Sequence, residues 1–596
     1  FDDSFRETLR LGGDEARRDA SHASDVLEGT MIALPVLDAG LWREADAPLD
    51  APLVINAEQR DGGLQLYLDF CPGHWQRATL EGLLQQLEAE LQAIRGHCLT
   101  AARCLTPSDV ALAGLDQTAL DALPGVEDIY PLSALQQGLL FHSQLGDSAS
   151  SYVNQLVLPL SGLAPERLRQ AWQQVLQRHA MLRVRIITGE PPLQAVQTQV
   201  ALPWQQLDWR EPQPLAEEDF QTRLDALCLA ERNRGFALSE APLLRLLLVQ
   251  RDDQQFVLVW TLHHLLLDGW STGLLLGEVL ALYHGDSLAP PRGQFREHIA
   301  WLAQQDGAAS EAFWRPQLQR LDAPTRVAGS LPCRSPGSGH VRHPLALSSE
   351  MQQRLRSFAQ RQGLTLNSLI QGAWALLLSR LTGKRALCFG TTVAGRPADL
   401  PGAEQIVGLF INTLPVVVEL PPEQALGTWL AALQQHNLAL REHEHTPLYD
   451  LQRWAEFGGE ALFDNLLVFE NYPLGDALSR AERGDLRLGT PQSHEFTHYP
   501  LALAVLPGDA LNLLLAYDSA RFDATAIAQI EALLRQALEQ LLGDVSRPLA
   551  ALELLDNAEQ QRLAVWNQCQ QSHESSRLLP ELIAEQAGLR PDAIAL

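Results

Sequence analysis

Through the middle of the chain, short runs rich in β-branched and aromatic residues alternate with longer stretches whose apolar residues recur every three or four positions. These are the patterns of buried strands and amphipathic helices. They predict helix 133–142, strand 153–160, helix 165–179, strand 182–187, helix 216–232, strands 243–250 and 256–262, and helix 272–284. A second set follows, with helices near 294–305, 349–361 and 365–380, strands near 386–393 and 412–419, helix 423–440 and strand 465–470. Strands interleaved with helices point to an α/β architecture in two lobes. Pro290-Pro291 marks the expected crossover, because paired prolines interrupt both helix and ladder. The crevice between lobes is the default place for a site.

Two distant segments share the order strand, turn, strand, helix: 53–56, 64–69 and 78–94 in one, 501–506, 511–517 and 524–541 in the other. Their turns, Asp61-Gly62-Gly63 and Pro507-Gly508-Asp509, carry residues that tolerate chain reversal. Each copy ends where linker-like sequence begins, which favours duplication over the chance pairing of two common units. On that reading residues 1–102 close a domain whose beginning is missing. Residues 103–125 form a joint, 126–290 and 291–545 the two lobes, and 546–577 a second, polar joint.

At 596 residues the chain exceeds what one core supports. Its formal charge of −27 argues against nucleic acid and against an anionic membrane surface, although 45 Lys and Arg leave room for a local patch holding one phosphate. The seven cysteines show neither zinc-site nor disulfide spacing, so reduced thiols in a cytoplasmic setting are expected. No apolar stretch approaches the roughly 20 residues of a membrane span. The start, Phe1-Asp2-Asp3-Ser4-Phe5, has neither a basic region nor a cleavable apolar segment.

The candidate chemistry lies in His263-His264-Leu265-Leu266-Leu267-Asp268-Gly269, where an apolar strand runs into a turn. Neighbouring side chains on a strand point to opposite faces, so one imidazole can look into a cavity while the other must find a partner inside. Core filling is the alternative, which Asp268, four residues beyond His264, disfavours. The arrangement suggests an acyl-transfer centre.

Taken together, the motifs resemble the condensation domain of nonribosomal peptide synthetases over residues 125–545. His263 to Gly269 is similar to the family's HHxxxDG. Tyr130-Pro131-Leu132-Ser133-Ala134-Leu135-Gln136-Gln137-Gly138 through His142 resembles the first motif, in the form found directly after an epimerization domain. Arg178-His179-Ala180-Met181-Leu182-Arg183 resembles RHxxLR, Phe295 to Trp301 lies in the fourth motif region, and Gly408 to Thr413 matches the fifth. His445-Thr446-Pro447-Leu448, Phe463-Asp464-Asn465 and Phe469-Glu470-Asn471 complete the set. Residues 1–102 resemble the end of an epimerization domain, and 578–596 the opening of an adenylation domain.

The resemblance implies two chloramphenicol-acetyltransferase-like lobes in a V shape with a central tunnel. Donor and acceptor peptidyl carrier domains would each send in a phosphopantetheine arm, with no tightly bound cofactor and no metal in the domain itself. A D-configured donor end and an L-aminoacyl acceptor are expected. The runner-up is a condensation-like module that docks carriers without forming bonds. The first fragment lacks an HHxxxDG stretch and should not epimerize unaided, while Leu11-Gly12-Gly13-Asp14-Glu15 lacks the serine of a carrier attachment site.

His264 is expected to face the reaction centre and His263 to turn inward, with positioning of the amine placed ahead of proton abstraction. Asp268 is read as half of a structural ion pair, with Arg178 the first candidate partner and Arg183 the second. Gly269 is expected to allow close backbone approach, and Trp270 to pack. Asn412 orients an amide or caps a turn. Ser133 and Gln137 line the tunnel, although Ser133 is also a good N-cap. Gly395-Arg396-Pro397 reads as a rigid turn. Two departures from the family pattern stand out: Ile186 where relatives often carry Phe, and Val417 where they often carry Arg.

Overall fold

Every residue from Phe256 to His263 is buried, and the strand they form, Gln255–His263, runs through the middle of a six-stranded sheet. It pairs antiparallel with Val153–Ser161 on one side and Leu244–Gln250 on the other, and Trp204–Asp208 closes the far edge in parallel. The computed structural model describes residues 7–11, 51–60, 63–70, 73–100, 104–145, 152–210, 216–470, 483–495, 497–508, 511–569 and 578–594. It divides into two compact units, residues 1–104 and 105–596.

In the first unit, Glu7–Leu11, Gly63–Phe70 and Leu53–Arg60 form an antiparallel sheet in that order, followed by helix Arg77–Thr100. Leu68, Phe70, Leu80 and Leu84 make its small core. Of the turn expected at 61–63, Asp61 and Gly62 lie outside the described residues, as does the glycine pair at 12–13.

The second unit holds two lobes with separate cores. The first contains the sheet just described and a three-stranded one, Val126–Pro131, Leu193–Gln197 and Val184–Ile187. Helices Pro165–Arg178 and Gly269–Tyr283 pack on it, with Trp172 and Trp260 edge to face at 4.8 Å. The second lobe is built on the mixed sheet His340–Ala346, Asn512–Asp518, Leu501–Leu506, Asn465–Phe469, Ala386–Val393 and Asn412–Glu419. Its core includes Trp374 and Phe389 on the sheet and helices around it.

The lobe boundary expected at Pro290-Pro291 does not divide the cores. Phe295 and Ile299 of helix Phe295–Leu302 pack into the first core, and so do Leu400, Ile406, Leu409 and Phe410. Strands Arg487–Leu488 and Gln492–His494 also cross over to pair with Val153–Ser161. Prolines stop a helix but do not assign the next apolar face to a core. Parts of both expected joints, 103–125 and 546–577, pack onto the neighbouring lobes. Val110 and Leu120 are buried against the three-stranded sheet, and Leu549, Leu552 and Leu554 belong to the second core.

Several elements escaped the periodicity reading. Trp204–Asp208 and His340–Ala346 are mostly solvent-facing edge strands, and the second contains Pro344, so neither shows an apolar alternation. Helix Gly269–Tyr283 begins three residues before its expected start because Asp268 caps it. Ala180–Arg183 is a 3-10 turn, which delays the following strand to Val184. Among the described residues, no helix is long and apolar enough to cross a membrane.

Candidate active site

The two histidines at the end of Gln255–His263 have different environments. His263 is buried, its ring edge to face with Phe236, and its Nδ1 accepts the Leu265 N–H at 3.2 Å. Burial, with His264 beside it, pushes its pKa down to about 3, so the ring is neutral. His264 is half-buried and lines a cavity of about 1420 Å³ that takes residues from both lobes. Its backbone N–H donates to the Tyr152 carbonyl at 2.8 Å. Its Nδ1 lies 3.2 Å from the Leu267 carbonyl and 3.2 Å from the Asn154 amide. Among the described residues Nε2 has no hydrogen-bond partner, so the ring presents one free nitrogen.

Asp268 makes no bond to His264. Its carboxylate caps Gly269–Tyr283 by accepting the Ser271 N–H at 2.7 Å, and accepts the Phe410 N–H at 3.0 Å. It also accepts from Arg396 Nη2 at 3.2 Å. Arg396 in turn donates to the Ser271 hydroxyl and to the carbonyls of Ala403 and Ile406. The Ser271 hydroxyl donates to the Gly408 carbonyl and accepts from its N–H. The cap of the histidine-bearing segment is thereby tied to the backbone of residues 403–410. Gly395 permits this approach: its φ is +61°, and a Cβ there would meet the Phe410 carbonyl oxygen at 1.9 Å.

The expectation that Arg178 or Arg183 pairs with Asp268 is therefore corrected. Arg178 donates to Glu278 on helix Gly269–Tyr283 at 3.1 Å and to the Ala289 carbonyl. Arg183 donates to Glu127 at 2.6 Å and to the Gln197 carbonyl. Both project from around the end of Pro165–Arg178, where partners on neighbouring elements reach them first.

A family model for the condensation domain matches residues 126–564. The chain belongs to the condensation-domain family. Condensation domains are the amide-forming enzymes of nonribosomal peptide synthetases. One of the linear gramicidin synthase proteins of Brevibacillus parabrevis is 39% identical over 549 residues, covering 89% of this chain and 10% of that protein. Chondramide synthase cmdD of Chondromyces crocatus is 34% identical over 596 residues, covering 89% and 15%. The chain thus spans a small part of these relatives' length. A holo four-domain nonribosomal peptide synthetase bound to AMP and glycine superposes with TM-score 0.64 at 18% identity, over 78% of this chain and 37% of that one. The first condensation domain of the calcium-dependent antibiotic synthetase, in complex with a substrate analogue, gives 0.58 at 18%, over 72% and 99%. The two-lobed fold is the one these domains share.

Within this condensation domain, Gly269 is the first helical residue and lines the cavity. Trp270 is not among the cavity-lining residues; its indole N–H donates to the Glu404 carbonyl at 2.9 Å. Gln137 lines the cavity, whereas Ser133 is a buried helix cap whose hydroxyl accepts the Gln136 N–H. Asn412 lines the cavity and also clamps a turn, its amide donating to the carbonyls of Glu444 and Thr446 at 2.8 Å each. Ile186 is buried in the first core and Val417 in the second, and neither lines the cavity.

Sequence reading missed Asn154 and Gln136, and took Arg396 for a turn residue alone. Gln136 donates to the Leu265 carbonyl at 2.9 Å and so ties the first motif to the histidine loop. Adjacency to Ser133 and Gln137 inside one motif was the available signal for Gln136; the other two carried none. Asp464 and Asn465 serve the second lobe, receiving the N–H groups of Val327 and Ala328 and the Trp374 indole. Asn471 lies outside the described residues.

Proposed function

We propose that this chain joins a donor peptidyl or aminoacyl thioester to an acceptor aminoacyl thioester, each held on the phosphopantetheine arm of a separate carrier domain. The observation that carries the reading is the free Nε2 of His264 in a cavity lined from both lobes. At about 1420 Å³ that cavity exceeds the roughly 300–1,000 Å³ of a single small-ligand pocket, as two substrates meeting end to end require. The acceptor amine adds to the donor carbonyl carbon, the C–S bond breaks, and an amide and a free thiol result. His264 Nε2 accepts the amine hydrogen, holds the nucleophile in line and passes the proton to the departing thiolate.

The finer assignment is a D-configured donor end and an L-aminoacyl acceptor. Supporting it are the form of the first motif and the resemblance of residues 1–102 to the end of an epimerization domain. Strands Leu53–Arg60 and Gly63–Phe70 and helix Arg77–Thr100 follow the same order as Leu501–Leu506, Asn512–Asp518 and Ala524–Leu541. An adenylation domain beginning in 578–596, and a cytoplasmic setting, belong to the same proposal.

The test is a single-turnover reaction with loaded donor and acceptor carriers, read by intact mass of the acceptor. Transfer without ATP or added metal is expected, faster from the D-ended donor, and lost in His264→Ala while the melting curve is kept. An unchanged acceptor beside functional carriers identifies a docking module instead. Faster transfer from the L-ended donor overturns the stereochemical assignment alone.

A further inference from the structure

Asn154 lies on Val153–Ser161, opposite Leu262 in the register, and its side chain reaches the ring of His264. Two groups meet the same Nδ1 at 3.2 Å, the Asn154 amide nitrogen and the Leu267 carbonyl oxygen. A carbonyl only accepts, so it bonds Nδ1 only when that nitrogen carries hydrogen; an amide nitrogen only donates, so it bonds Nδ1 only when that nitrogen is bare. The two demands exclude each other. Meanwhile the Asn154 Oδ1 is buried without a partner. A half-turn of the amide exchanges its oxygen and nitrogen, seats Oδ1 on Nδ1–H beside the Leu267 carbonyl, and removes the conflict at the ring.

We infer that Asn154 is a positioning residue for His264. With the Leu267 carbonyl it holds the hydrogen on Nδ1, which keeps Nε2 bare toward the cavity. When the ring becomes charged, the same oxygen accepts from the more acidic N–H. The inference rests on the reading of His264 as the acting residue. Other titratable groups include His263 behind the ring and, along the cavity wall, Asp268, His142, His498, Glu470, Glu495 and Arg342.

The test uses the whole chain with both loaded carriers, following single-turnover rate against pH for the parent, Asn154→Ala, Asn154→Asp and His264→Ala. Asn154→Ala should slow transfer by about ten- to a hundredfold without changing the acceptor concentration at half-maximal rate. Asn154→Asp should move the acid limb up by about one pH unit or more, because a carboxylate on Nδ1 stabilises the imidazolium. A merely structural role would shift melting temperature and leave that limb in place. Parent rates in Asn154→Ala, or an unmoved acid limb in Asn154→Asp, overturn the inference, and an inactive His264→Ala beside them leaves the reading of His264 standing. A parent-like His264→Ala overturns both. Ring 15N shifts of His264, assigned by their loss in His264→Ala, give a readout without turnover: the parent should carry hydrogen on Nδ1, and hydrogen on Nε2 instead overturns the inference.

Discussion

The carboxylate of Asp268 and the guanidinium of Arg396, 128 residues apart in sequence, meet at 3.2 Å with their side chains only 1% and 6% exposed. Burial lowers the pKa of Arg396, against the opposing pull of Asp268. Removing Asp268 therefore leaves a buried cation without its counter-ion and also uncaps helix Gly269–Tyr283, which follows the histidine turn. Asp268→Ala should lower unfolding free energy by about 3–5 kcal/mol. Chemical denaturation of parent and variant measures it, and a loss under about 1 kcal/mol would show that the pair does not hold the lobes' shared segment in place.

Arg178 supplies the contrast. Its ion pair with Glu278 is partly open to solvent, with side chains 19% and 24% exposed. Screening and side-chain entropy leave such pairs roughly 0–1 kcal/mol, with the bond to the Ala289 carbonyl adding a modest amount. Arg178→Ala should destabilise clearly less than Asp268→Ala in the same denaturation series. Equal losses would mean that the RHxxLR-like segment carries the structural load assigned here to Arg396.

Much of this was legible locally. The division of labour between His263 and His264 follows from strand alternation, and the hairpin-helix units from turn residues and helical spacing. What could not be read is what depends on the return of the chain: residues 400–410 come back to the first core, and only then does Arg396 reach Asp268. Motif order points to Arg178 and Arg183 instead, because spacing along a sequence says nothing about which distant turn lies against a helix cap. Val417 shows the same limit in reverse, since a position expected at the tunnel edge faces the second core.

Asn412 is a clamp on its turn. Its amide nitrogen serves the carbonyls of Glu444 and Thr446, and its oxygen accepts the Thr413 N–H. Asn412→Ala leaves these backbone groups without partners and should cost about 1–3 kcal/mol. Asn412→Asp loses the two donors and keeps the acceptor, so it should recover little. Thermal melts of the two variants decide it, and near-parent stability in Asn412→Asp would show that the oxygen alone secures the turn.

Acid sensitivity should come from neutral buried histidines. His298 packs among Phe295, Trp301 and Phe410, with ring centroids 5.4, 6.0 and 4.3 Å away, and its Nδ1 has no hydrogen-bond partner. Burial first, and Arg396 second, push its pKa from 6.5 down to about 3. Between those values the unfolded chain binds a proton that the folded chain refuses. The contribution is fully present above pH 6.5 and is lost progressively as pH falls toward 3, at up to about 1.4 kcal/mol per pH unit. His263 adds a contribution of the same sign, with a folded pKa also near 3. The melting temperature of the parent should therefore drop from pH 6.5 to 5. His436, His494 and His498, whose folded pKa values are pushed down to about 4, add to the fall, and Glu470, raised to about 8 by burial, opposes it. His298→Leu, which keeps an apolar group in the same aromatic cage, should drop less steeply over that interval. Parallel melting curves for parent and variant would show that His298 takes up no extra proton on unfolding.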